Sequence, residues 1–293
     1  MNLLINILIF CIILFLYIHI YFHIKCSNYL EIYEIENISR QNIEEIYNLK
    51  QPFLFNYSDN NIDFIETINI DYLKKNYGNF DIKIYNKNDT NIAIPINLLT
   101  SCDLFIKDSS NNYYSEHNNE FLEETTLLKY FADSDIFLRP INTISKNYDI
   151  LMGSVGSYSN LKYSVNFINI LYVNDGEIDI VLTSPNNNKY LHTKDINENF
   201  EYVSNIDYYN PEEKYKKDFN KAKFMHLNLK KGSFLRIPAY WFYSIKIVTN
   251  DTLVSLFKYK TLMNTLATLP DFLKKILHDN NIKRNFLKVI EAK

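Results

Sequence analysis

The stretch INILYVNDGEIDIVLTSP, residues 168–185, decides the fold. Two short apolar runs, Ile168–Val173 and Glu177–Leu182, flank Asn174-Asp175-Gly176. Each run has the length of a strand, and the Asn-Asp-Gly between them supplies a tight turn. The same pattern continues outward on the C-terminal side, through Lys223–Asn228, Phe234–Ile237, Ser244–Val248 and Leu253–Tyr259, with Lys230-Lys231-Gly232 as another turn. Several short strands separated by turns predict a sandwich or barrel. The polar stretch from Pro185 to Lys221 reads as a loop insertion across the barrel mouth.

Upstream of residue 150 the chain is mixed. Tyr29–Ile35 and PFLFNY after Pro52 read as strands, and DIKIY (81–85) alternates. Ser39 is placed to cap a helix whose apolar face is Ile43, Ile46 and Leu49. Ile70–Tyr77 reads as a helix stopped by Gly78 at C′. Residues 108–119 read as a polar loop and Phe121–Phe131 as a helix; helical spacing returns from Pro270 to Ala292. No Gly/Ser-rich or Pro-rich linker divides residues 27–293, which read as one domain including the C-terminal helices.

Residues 1–26 read differently. Leu3–Ile24 contains no Asp, Glu, Lys or Arg. A helix of that length is about 33 Å long, enough for a hydrocarbon core of about 30 Å. A cleaved signal peptide is the alternative. Against it stand the length of the run, the absence of a basic n-region, and Lys25-Cys26-Ser27, a poor small-x-small cleavage site. The segment therefore reads as a retained single-pass anchor, which makes the membrane one partner.

Composition narrows the function. Of 293 residues, 47% are hydrophobic and 22% charged, as in an ordinary globular protein. The net charge of −3 gives no footprint for nucleic-acid binding. Three cysteines, Cys11, Cys26 and Cys102, cannot build a disulfide framework or a Cys-rich zinc site. The excess of Asn, Ile, Lys and Tyr reads first as the bias of an AT-rich genome. Gly153-Ser154-Val155-Gly156-Ser157 lacks the Lys-Ser/Thr of a phosphate-binding loop, and the pairs Glu123-Glu124 and Glu212-Glu213 read as solvated faces.

Five strings, in order, resemble the JmjC-like cupin proteins, relatives of the iron- and 2-oxoglutarate-dependent oxygenases. They are QPFLFNYS (51–58), IDYLKKNYGNFDIKIYN (70–86), FLRPINTISKNYDILMGSVGSYS (137–159), NILYVNDGEIDIVLTSP (169–185) and LNLKKGSFLRIPAYWFYSI (227–245). The resemblance implies an α+β, mainly β fold: a double-stranded β-helix, or jelly-roll barrel, with flanking helices. It also implies a facial triad of two His and one carboxylate, with open positions for co-substrate and oxygen.

That triad is missing from the expected positions. Aligned without gaps on Asn169, the family's H-x-D pair falls at Tyr163 and Val165; the distal His, five residues after Pro238, falls at Tyr243. A one-residue slip offers Lys162-x-Ser164, no better as ligands. The Lys that pairs with the co-substrate in many relatives falls at Ile178, so Asn169 and Ile178 are what is left of the pocket. The six histidines, His19, His23, His117, His192, His226 and His278, form no H-x-D/E or H-x3-H set outside the apolar run. The expectation is a membrane-anchored pseudoenzyme that binds or scaffolds an unidentified protein partner, with no cofactor. The alternative is a divergent hydroxylase using iron and 2-oxoglutarate. If the three degenerate positions mark the old site, Tyr163, Val165 and Tyr243 should lie together at the barrel mouth, and Trp241 should be buried beside a barrel strand.

Overall fold

A computed structural model describes residues 2–36, 38–56, 68–87, 89–194, 200–274 and 276–277. Its frame is a pair of facing sheets. The larger has nine strands among the described residues, in the order β1-β2-β12-β8-β14-β6-β5-β3-β4. Their ranges are β1 Tyr33–Ile35, β2 Phe53–Asn56, β3 Asp81–Asn86, β4 Asp89–Asn97, β5 Tyr113–Ser115, β6 Thr143–Gly153, β8 Ile168–Asp175, β12 Ser233–Pro238 and β14 Leu253–Thr261. The smaller runs β10-β7-β13-β9-β11. Here β7 is Lys162–Ser164, β9 Glu177–Thr183, β10 Glu201–Val203, β11 Met225–Lys230 and β13 Phe242–Ile247. This is the expected double-stranded β-helix.

The period-2 alternation of each strand divides the apolar residues between two cores. Leu171, Val173, Leu235, Ile237, Val254 and Leu256 of the large sheet meet Ile178, Ile180, Leu182, Ile245 and Ile247 of the small one inside the barrel. The opposite face of the large sheet, with Ile170, Tyr172, Phe234, Phe257 and Tyr259, packs on the helical layer through Ile43, Tyr47, Leu73 and Phe131. Arg236 points into this second core, fully buried, and its guanidinium donates to the carbonyls of Gln51 (2.9 Å) and Tyr47 (3.0 Å). The β8–β9 turn needs its glycine: Gly176 has φ +75°, and a Cβ there would stand 2.3 Å from Thr252 Oγ1.

Several local expectations change. The helix Ile43–Asn48 starts after Asn42, which exchanges hydrogen bonds with Ser39 in a turn; Tyr47 is buried in it and Leu49 is exposed. The first strand is shorter than expected, only Tyr33–Ile35. Gly78 follows the helix Ile70–Tyr77 with φ −57°, so it is not a left-handed stop. Its need is space, because a Cβ would meet Lys74 O at 2.6 Å. The polar stretch 108–119 holds β5, the insertion after Pro185 holds β10, and 121–131 is broken into Asn119–Glu124 and Leu128–Leu138. The helix expected from Pro270 to Ala292 is seen at residues 270–274 and 276–277; residue 275 and residues 278–293, His278 among them, lie outside the described residues.

The N-terminal helix α1, Asn2–Ile24, contains a run, Leu3–Ile24, long and apolar enough to cross a membrane, with mean hydropathy 2.8. Its end is tied to the barrel. The His23 ring sits 5.4 Å from that of Phe167, Cys26 Sγ donates to Ala239 O (3.1 Å), and Trp241 Nε1 donates to Ser27 O (3.1 Å). Trp241 is fully buried just before β13, as expected.

Candidate functional site

The three residues of β7 are all buried, and they face two different ways. Tyr163 lies opposite Tyr202 of β10, and their rings stack 4.8 Å apart. It also meets the edge of Phe242 at 4.7 Å. With Leu161, Val165 and Leu191 these rings form a cluster on the outer side of the small sheet. Lys162 points the other way. It lies opposite Tyr243, and Ser164 lies opposite Glu201, so Lys162, Ser164, Tyr243 and Glu201 share the inner face.

The expected triangle of Tyr163, Val165 and Tyr243 is therefore not formed. The reason is the strand period: a register difference of one residue turns every side chain to the other face. Tyr243 looks into the barrel, while Tyr163 and Val165 look out of it. The inward pair on β7 is Lys162 and Ser164. Of the pocket remnants, Asn169 lies inside, opposite Lys258 of β14. Ile178 is fully buried in the hydrocarbon part of the barrel, paired with Ile247 and Leu229. Asn169 and Ile178 are thus at different levels.

What occupies this end of the barrel is a set of paired charges. Lys162 Nζ donates to Glu116 Oε2 at 2.6 Å and lies 2.8 Å from Glu201 Oε2. Lys258 Nζ donates to Glu201 Oε1 at 2.9 Å. His117 adds its Nε2 at 3.2 Å from Glu201 Oε2, and its Nδ1 is 3.2 Å from Tyr85 Oη. The Glu201 side chain is wholly shielded from solvent, and those of Lys162 and Lys258 nearly so.

The loop that brings in Glu116 and His117 is held by a buried carboxylate. His117 has φ +61°, an uncommon backbone for a non-glycine residue. Asp149 of β6 fixes it by accepting the N–H groups of His117 (2.8 Å) and Asn118 (2.7 Å). Asn118 completes the clamp by donating to Ser115 Oγ and Ile150 O.

Burial alone would disfavour every charge in this cluster. Mutual pairing reverses that. Burial pushes the Glu201 carboxyl up, but Lys162, Lys258 and His117 together hold it well below the usual carboxylate range. Burial pushes the Lys162 ammonium down, and Glu116 and Glu201 hold it well above the ordinary lysine value. Lys258 is raised in the same way, chiefly by Glu201 against its burial. Burial lifts the Tyr243 phenol to about 12, so it stays protonated, and its hydroxyl has no hydrogen-bond partner among the described residues.

An iron centre of the facial-triad type does not fit these residues. It needs imidazole and carboxylate donors with open positions. Here two ammonium groups already occupy the carboxylates, and the inner face of β7 offers Lys162 and Ser164. No group of three or more His, Cys, Asp or Glu among the described residues is placed to hold a metal ion.

The residues that build this cluster escaped sequence reasoning for specific reasons. Lys162 was visible only as a register slip. Glu201 sits in a polar insertion, Glu116 in an Asn-rich stretch, and Lys258 inside a strand with no flanking motif. Only the closure of the barrel joins them.

No curated protein matches the chain. The cupin-like domain family matches it from residue 39 to residue 263, most of its length and the whole of both sheets except β1, and the protein belongs to that family.

Proposed function

We propose that this is a membrane-anchored cupin-like protein without oxygenase chemistry, whose barrel serves as a rigid module for binding a protein partner at the membrane. The observation that carries this reading is Lys162. Its ammonium sits on the inner face of β7, across from Tyr243, within 2.8 Å of two buried carboxylates. A dication brought to that position would meet two ammonium groups. It would have to break buried ion pairs whose loss leaves charges uncompensated. The fold alone assigns no reaction, and the site chemistry argues against this one.

The anchor reading draws support from the docked end of α1. A cleaved leader has no reason to place Phe22 under the Lys50 ammonium (3.6 Å) or His23 against Phe167. The segment just beyond it is also engaged, through Cys26 and Ser27.

The test is a thermal-shift titration of the purified full-length chain with ferrous iron and 2-oxoglutarate, alongside an assay for succinate. A ligand that binds only the folded state raises the melting temperature. The expected result is no saturable rise and no succinate. A saturable rise that disappears when Glu201 or His117 is replaced, with succinate released, would overturn the reading in favour of a divergent hydroxylase.

A further inference from the structure

The span and the barrel are too close together for the span to act alone. From Leu3 to Ile18 every residue of α1 is exposed; from His19 onward one side of the helix packs on the domain, with His19 and Ile20 half-buried and His23 buried, while Tyr21, Phe22 and Ile24 stay exposed. The clear portion is about 24 Å long at 1.5 Å per residue. That falls short of a hydrocarbon core of about 30 Å. The docked last turn must therefore enter the lipid as well, which brings the face of the domain beside it to bilayer depth.

That face is apolar. The helix Leu262–Ala267 packs directly against α1. Helical structure resumes at Leu269 and runs through Lys274. This second stretch is fastened to the barrel by the stacking of Phe272 on Phe200 (6.1 Å, 3° between planes) and by the hydrogen bond from Tyr202 Oη to Asp271. The two helical pieces leave Leu262, Leu266, Leu269, Leu273 and Ile276 exposed. Leu262 and Leu266 are four apart; Leu269, Leu273 and Ile276 are four and three apart. Each piece thus presents one apolar edge. Exposed large aliphatic side chains gathered on neighbouring helical turns mark an interaction surface. Here the first piece adjoins a helix whose run from Leu3 to Ile24 is apolar enough to cross a membrane.

We propose that the helical stretches 262–267 and 269–274 are a second membrane contact: interfacial pieces, the first of them beside α1, with their exposed Leu side chains in the acyl-chain region. Its occupant is the bilayer itself. The segment rests on the reading of α1 as a retained span. The docked end of α1 already fixes the barrel close to the bilayer, and the second contact adds a face of the domain that lies on the lipid.

Site-directed spin labelling in phosphatidylcholine vesicles tests this. The full-length chain carries Cys11→Ser and Cys26→Ser, with the buried Cys102 kept. A nitroxide is placed singly at Leu8→Cys, Leu266→Cys or Leu273→Cys, all exposed positions. Collision with oxygen reports lipid, and collision with a water-soluble nickel chelate reports solvent. The expected result is that oxygen dominates at all three positions. Lipid at 8 with solvent at 266 and 273 would overturn the second contact and leave the span intact. Lipid at 8 with neither reagent reaching 266 and 273 would mean that a protein surface covers the patch, and would also overturn it. Solvent at 8 would overturn the span reading, and this proposal with it.

Discussion

The two faces of β7 solve the same problem of burial in opposite ways. On the outer face Tyr163 is enclosed by Tyr202 and Phe242, and apolar contact stabilises it. On the inner face its neighbour Lys162 is equally enclosed, but by carboxylates. The aromatic cluster tolerates small changes, because each ring contributes mainly by area. The charge cluster does not, because removing one member strands the others in a medium that cannot solvate them. Adjacent residues of one strand thus carry different sensitivities, and that difference can be measured.

The largest expected effect is at Lys162. Replacing it by Met leaves Glu116 without its ammonium partner and takes one of the cations from Glu201, which keeps Lys258 and His117. Breaking one partner of a buried pair costs about 3–5 kcal/mol. Urea unfolding of Lys162→Met should show a loss of that order. A loss below about 1 kcal/mol would mean that the pair is solvated and the two faces are alike.

A smaller effect is expected across the strand. Tyr163→Ala removes a ring that is 8% exposed, and should cost about 2–4 kcal/mol, towards the lower end of aromatic truncations. Tyr163→Phe keeps the ring and should change stability by less than about 0.5 kcal/mol. A large loss in the Phe variant would reveal an essential hydroxyl and erase the contrast with Lys162.

The comparison also explains what was readable in advance. The barrel strands were legible because apolar runs such as Ile168–Val173 and Leu253–Tyr259 are bounded by turn residues, and Trp241 announced itself as core. The apolar run of α1 needed only a count of charges. The register of β7 was not legible. It is three residues long, and all three are buried, so the polar Lys162 and Ser164 do not mark a solvent face as polar alternation ordinarily would. Glu116 and Glu201 are 85 residues apart in sequence and are joined by Lys162, which pairs with both. Pairwise chemistry of that kind leaves no local spacing to read.

The smallest expected effect is in acid. The Glu201 carboxyl is held below its ordinary value of 4.5, so its contribution to stability is fully present above that pH. It is lost as pH falls through the folded-state value, because the unfolded chain then binds the proton more readily. Unfolding free energy should decline below about pH 4.5. The decline should be shallower in Lys162→Met, where Glu201 has lost its nearest cation. Equal slopes in the two proteins would uncouple Glu201 from Lys162 and leave the inner face without its organising pair.

The decisive property of the inner face is the charge state of Lys162 itself. Side-chain 15N NMR can follow the lysine ammonium resonances of the full-length protein through an alkaline titration, with Lys162→Arg identifying the signal. The contribution of a raised lysine is present below its ordinary value of 10.5 and is lost only as pH rises through the higher folded-state value. Lys162 should remain an exchange-protected ammonium beyond pH 10.5, after exposed lysines have begun to titrate. Titration of Lys162 at or below that value would contradict the buried carboxylate pairing, and with it the claim that ion pairs fill this end of the barrel.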